Sequence, residues 1–205
     1  MKQPTLDDAR FALTAAALAA LACVGFTQPL AAADRDGAKT VAPPAADQVA
    51  RGKYLVTTAG CNDCHTPWKM GAAGPEPDMS RMLSGHPEKM ELPAPPQPSG
   101  PWIVSAAATN TAWSGPWGIS YTANLTPDKE TGLGKWTLRQ FTDTIRTGRH
   151  LGRGRPILPP MPIPMYKHFT DEDLQAIFAY LRTIPAVKNK VPEPLAPPPA
   201  TVAAR

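Results

Sequence analysis

Apolar positions recur at helical spacing in three separate stretches of the chain. From Asp47 to Ala59 the pattern predicts a helix capped by Asp47, with Ala50, Tyr54 and Leu55 on its inner face. Gly52 is a poor helix former there, and its value lies in letting another helix approach closely. Gly60 ends the element. The second stretch opens on Trp136-Thr137, with Gln140 and Phe141 completing a capping box and a hydrophobic staple. Leu138, Phe141, Thr142 and Ile145 mark its inward stripe, and Gly148 closes it. The third repeats the device, with Thr170 as cap, Asp173 in the box, and Phe169 and Leu174 as staple. Leu174, Ile177, Phe178 and Leu181 then share one face until Pro185 stops the helix.

The intervening segments carry little periodicity, and 26 prolines in 205 residues leave few other places for long regular elements. Residues 67–101 are rich in Pro, Gly, Met and charge, including Met70, Met79, Met82, Met90 and His86, with only a short turn expected at Met79–Leu83. A structureless loop this long in a compact domain usually has a specific use. Residues 102–125 hold Trp102, Trp113, Trp117 and Tyr121 among small residues. They predict ordered coil, with at most a brief strand pair, wrapped around something flat and apolar. The fold class expected is therefore all-α, three main helices joined by long ordered loops. Three such helices bury only a thin core among themselves.

The ends read differently. Lys2 and Arg10 bracket a polar start, and an almost uncharged run from Phe11 to Phe26 leads to Pro29 and Ala31-Ala32-Ala33. That layout predicts a secretory signal peptide over residues 1–33, cleaved before Asp34. Its sixteen apolar-leaning residues fall short of the ~20 that span a bilayer, so membrane contact is expected only if the leader is retained. Residues 34–46 predict a flexible lead-in, 47–185 the domain with its 67–101 insertion, and 186–205 a Pro/Ala-rich tail, mobile or draped over the surface. The formal net charge is +4. Its basic residues are scattered and its aromatics are not spaced for base stacking, which excludes nucleic acid as a partner. A modest positive surface suits an acidic protein partner.

Cys23 falls inside the leader, so Cys61 and Cys64 are the pair left to the expected mature chain. In an exported protein such a pair could be a disulfide, a redox centre, half a zinc site or a haem attachment. Zinc lacks a second cysteine pair, and no strand pattern precedes these two as in a thioredoxin-like site. His65 directly after Cys64 decides for a single covalently attached c-type haem. Cys61 and Cys64 reach one porphyrin from the same turn, and His65 is carried beneath the ring to coordinate iron. Its other ring nitrogen is expected to donate to a backbone carbonyl.

The opposite face of the iron has several candidates. Met161 stands in Leu158-Pro159-Pro160-Met161-Pro162, where three prolines stiffen the backbone around one thioether. Met165 competes nearby, and His86, His150 and His168 are alternatives. No general acid, nucleophile or second metal site is evident. That points to an electron carrier rather than an enzyme, with a haem enzyme or ligand sensor having an open or labile sixth position as the alternative. Arg149, His150, Arg153 and Arg155 form a basic loop that could meet haem propionates, a partner, or solvent.

Four segments carry a resemblance. Arg51-Gly52-Lys53-Tyr54-Leu55 through Gly60-Cys61-Asn62-Asp63-Cys64-His65-Thr66 is the first, and Ala123-Asn124-Leu125-Thr126-Pro127-Asp128 the second. Gly132-Leu133-Gly134-Lys135-Trp136-Thr137 is the third. The last is Pro160-Met161-Pro162 followed by Thr170-Asp171-Glu172-Asp173-Leu174. Together they resemble the class I cytochrome c family, and more closely the haem domains in cytochrome subunits of bacterial alcohol and aldehyde dehydrogenases. The resemblance implies a class I cytochrome c fold whose first and last helices cross at Gly52 and Tyr180. It implies one heme c whose iron is bound by His65 and Met161. It also implies a periplasmic location and a redox partner such as a periplasmic or membrane-bound dehydrogenase or oxidase.

Overall fold

The computed structural model describes residues 45–95 and 101–197. The expected leader, nearly all of the lead-in and the last residues of the tail lie outside that range. Helix α1 runs Ala46–Thr58, α2 Cys61–His65, α3 Leu138–Thr147, α4 Ile163–Tyr166 and α5 Asp171–Leu181. The structure is mainly helical, but among the described residues five helices replace the expected three, and two small antiparallel sheets correct the all-α expectation.

The first sheet is a hairpin, β1 Trp68–Gly71 and β2 Gly74–Pro77, inside the segment expected to lack strands. Its prolines explain the difference. Pro75 and Pro77 lie two residues apart, on one side of β2, while the Asp78 amide donates to Pro67 O at 2.8 Å on the other. Both missing N–H groups therefore face the outer edge, where a strand tolerates them. The second sheet orders β3 Ser105–Ala106, β4 Ala112–Gly115 and β5 Gly118–Tyr121. Tyr121 packs on His86 with ring centroids 4.8 Å apart, and Trp102 is largely exposed.

The helix caps divide by mechanism. Thr137 and Gln140 form the expected capping box on α3, and Thr170 accepts from the Asp173 amide on α5. On α1 the cap is Ala45, without a side-chain bond, and Asp47 sits in the first turn, where its charge favours the helix N-terminus. The inner face of α1 is Gly52, Leu55 and Val56, whereas Ala50 and Tyr54 are exposed. On α3, Phe141, Thr144 and Ile145 are buried and Leu138 is mostly outside the core.

The core sits where α1, α3 and α5 meet: Leu55 and Val56, Phe141 and Ile145, and Leu174, Ile177 and Leu181, with Leu83 and Leu133 supplied by loops. Phe178 lies at its edge, tilted against Phe141 at 5.3 Å. Arg51 donates twice to Asp173 Oδ1, at 2.9 and 3.1 Å, linking α1 to the start of α5. After α5 the chain does not leave the domain. Residues 187–195 run over it as a strap and pair with β5 through Ile119 and Leu195. No helix among the described residues is long and apolar enough to cross a membrane.

Candidate functional site

Gly60, in the left-handed conformation, turns the chain from α1 into the single helical turn of α2. The three-residue spacing sets Cys61 and Cys64 on one face, both as half-buried free thiols. Burial pushes the Cys61 thiol up to about 11 and raises that of Cys64. Both stay protonated at neutral pH, unlike the depressed thiols of redox centres.

His65 is buried at the end of the turn. Its Nδ1 donates to the carbonyl oxygen of Ala123 at 2.7 Å. A carbonyl can only accept, so Nδ1 carries the proton and Nε2 keeps its lone pair for a metal. Burial also lowers the basicity of the ring, offset in part by that carbonyl, which keeps His65 neutral at pH 7. The backbone around it is equally held. Gly85 N donates to His65 O at 2.8 Å, and Thr66 Oγ1 donates to Asn62 Oδ1 while accepting from Leu83 N. Trp68 Nε1 and Asn110 Nδ2 both donate to Asp63 O.

Met161 is half-buried and packs at the edge of the same core as Cys61. Its loop is tied on two sides. Ser120 Oγ donates to Pro159 O at 2.6 Å, and the Tyr166 hydroxyl donates to Ala59 O, two residues before Cys61. Burial pushes Tyr166 up to about 12, so it remains a donor at all ordinary pH. Met165, on α4, is 72% exposed. Several large apolar side chains packed against that core stay only partly covered, including Met82, Leu125, Trp136 and Ile163. Two thiols on one turn, an imidazole with a free lone pair, a thioether and half-covered apolar side chains fit a flat apolar metallocofactor.

The remaining histidines are placed differently. His168 is exposed, and exposed His150 packs edge-on to Trp136 at 5.2 Å. His86 is 0% exposed and shares a 2.9 Å hydrogen bond with Thr111 Oγ1, while its Nε2 has no partner among the described residues. Burial lowers its pKa. A base whose folded pKa is depressed stabilises the fold above its unfolded value, about 6.5, and that contribution is lost as pH falls below it. The unfolding midpoint should therefore drop between pH 7 and 5. His86→Gln should flatten that dependence, as followed by denaturant titration, and an unaltered pH slope would contradict the assignment. In the basic loop, Arg155 pairs with Glu193 and Arg149 donates to Gly154 O, so two of its arginines already have partners in this chain.

Sequence reasoning anticipates a carbonyl for His65 but not which one, and it misses Gly85 and Tyr166. A backbone acceptor leaves no side-chain signal. Residues 49–185 match the sequence family described as Cytochrome c. The fructose dehydrogenase cytochrome subunit of Gluconobacter japonicus is 30% identical over 152 residues, 71% of this chain and 24% of that protein. The cytochrome c subunit of the quinone alcohol dehydrogenase of Gluconobacter oxydans is 35% identical over 82 residues, 38% of this chain and 17% of that protein. The gluconate 2-dehydrogenase cytochrome c subunit of Pantoea cypripedii is 40% identical over 65 residues, 32% of this chain and 14% of that protein. The chain thus spans no more than about a quarter of the length of these relatives.

Proposed function

This chain belongs to the cytochrome c family, and on that premise we propose that it is a periplasmic electron carrier with one c-type haem held by Cys61, Cys64, His65 and Met161. The observation that carries the reading is the His65 ring, whose proton is committed to Ala123 O and whose other nitrogen is left basic, directly beside two free thiols on one turn. The haem would supply a one-electron ferric/ferrous couple. Cys61 and Cys64 would fasten it as thioethers, so that it would stay bound when the chain unfolds. His65 would offer Nε2 to iron, its ring orientation set by the bond to Ala123 O. Met161, in its proline-stiffened loop, offers a neutral thioether that favours ferrous iron and so a positive potential. With His65 and Met161 both engaged, the iron would offer no place for substrate, and this chain's remaining work is to exclude water and limit rearrangement.

The relatives' names place them in dehydrogenases, and the same role fits here: accepting electrons from a periplasmic or membrane-bound dehydrogenase, or passing them to an oxidase. Expression of the full chain in cells able to attach c-type haem tests the reading by intact mass. One haem should remain bound under denaturing conditions to a chain starting near Asp34, and Cys61→Ala with Cys64→Ala should carry none. Recovery of a haem-free wild-type chain with a Cys61–Cys64 disulfide would sink it.

A further inference from the structure

We propose that Gly85 and Asn189 are positioning residues for the His65 ring, forming with residues 187–190 a clamp that holds the Ala123 carbonyl against Nδ1. The inference rests on His65 being the iron ligand, as proposed above. The segment 83–86 runs beside 122–125: His86 N donates to Thr122 O at 3.0 Å and Leu125 N to Leu83 O at 2.9 Å. Between them Gly85 N turns the other way, onto His65 O. Gly85 has φ +76°, and a Cβ there would stand 2.5 Å from Thr122 O, 2.6 Å from Ala123 C and 2.8 Å from Ala123 O. Any side chain at this position would displace the carbonyl that receives the His65 proton.

Asn189 fastens this contact from behind. It is 4% exposed, and its Nδ2 donates to Ser84 O at 2.7 Å and His86 O at 2.8 Å, the carbonyls on either side of Gly85. Its Oδ1 accepts from Glu88 N at 2.8 Å. On the other side Asn124, next to Ala123, donates from Nδ2 to Val187 O at 2.8 Å and accepts Thr126 N on Oδ1 at 3.0 Å. Thr131 Oγ1 joins the halves, accepting from Asn189 N at 3.0 Å and Asn124 Nδ2 at 3.2 Å. Both segments that define the Ala123–His65 contact are thereby fixed to one strap. A buried amide with all its groups engaged specifies one register, and deleting it releases several partners together.

The consequence has a sign. A well-held Nδ1–H bond makes the imidazole a stronger donor to iron and favours the ferric form, so weakening it should raise the reduction potential. Simple loosening of the fold works in the opposite direction, because admitted water stabilises the more highly charged ferric state. An optical redox titration of the holo-protein at pH 7 separates the two. Asn189→Ala should shift the ferric-to-ferrous ratio about tenfold toward ferrous at a fixed potential, a rise of ~59 mV for one electron. Thr131→Val should shift it less in the same direction. Glu193→Ala, on the same strap but paired with Arg155, should leave it unchanged. In the ferrous protein the His65 Nδ1 proton should exchange with solvent faster in the first two variants. Potentials equal to wild type, or lowered, in both would overturn the clamp, and if Asn189→Ala yields no holo-protein, Thr131→Val decides alone. A wild-type protein lacking covalent haem overturns the site assignment itself, whereas wild-type haem with unmoved potentials overturns the clamp only.

Discussion

Met161→Ala should keep its covalent haem and lose its sulfur ligand. Cys61 and Cys64 lie on α2, and Met161 in a loop nearly a hundred residues away in sequence, so attachment and sixth coordination are separable by mutation. Three prolines and the bonds from Ser120 and Tyr166 hold the loop, so truncating one side chain should not collapse it. The ferric spectrum should lose the weak sulfur-to-iron band, and the ferrous form should bind carbon monoxide promptly. Water or a nearby histidine favours ferric iron relative to a thioether. The potential should fall on the order of 100 mV or more, within the ~0.8 V that axial ligands span. Met165→Ala should change none of these, because Met165 faces solvent. The reverse outcome would assign the wrong methionine. If neither variant responds, His86, His150 and His168 become the candidates.

The other large effect belongs to the fold. At the crossing of α1 and α5 a Cβ on Gly52 would lie 1.9 Å from Ala176 O and 2.8 Å from Tyr180 Cβ. The first obstacle is backbone, which cannot rotate away as a side chain would. Gly52→Leu should therefore force the helices apart and cost ~3 kcal/mol or more, at or beyond the upper end of ordinary overpacking. Gly52→Ala should also destabilise, although alanine gains ~1 kcal/mol over glycine in helix propensity. Chemical denaturation of the holo-protein reads both. Unchanged midpoint and slope for the leucine variant would contradict the close crossing.

How far the sequence discloses this structure depends on where each feature keeps its signal. Thr137, Gln140 and Thr170 carry their caps in their own side chains, so α3 and α5 are legible. Ala45 carries none, and the pattern points to Asp47 as the cap of α1 instead. The buried face of α1 is hard to read because Gly52, the residue of closest approach, has no hydrophobicity to register, while Tyr54 registers strongly yet stands 58% exposed. The β1–β2 hairpin hides behind prolines whose spacing happens to suit an edge. Cys61, Cys64, His65 and Met161 stand out as candidates because their chemistry is in their side chains. The Ala123 carbonyl, the space at Gly85 and the grip of Asn189 from a Pro/Ala-rich tail are properties of tertiary placement, which neither composition nor periodicity encodes.

The central claim is that one haem, closed on both faces by His65 and Met161, exchanges single electrons and binds nothing else. A potentiometric titration of the wild-type holo-protein, with its spectrum followed before and after carbon monoxide, tests that most directly. The account predicts one reversible one-electron transition at positive potential, a sulfur-to-iron band in the ferric form, and a ferrous spectrum that carbon monoxide leaves unchanged. A high-spin ferric spectrum together with prompt carbon monoxide binding would contradict it and identify an open haem site instead.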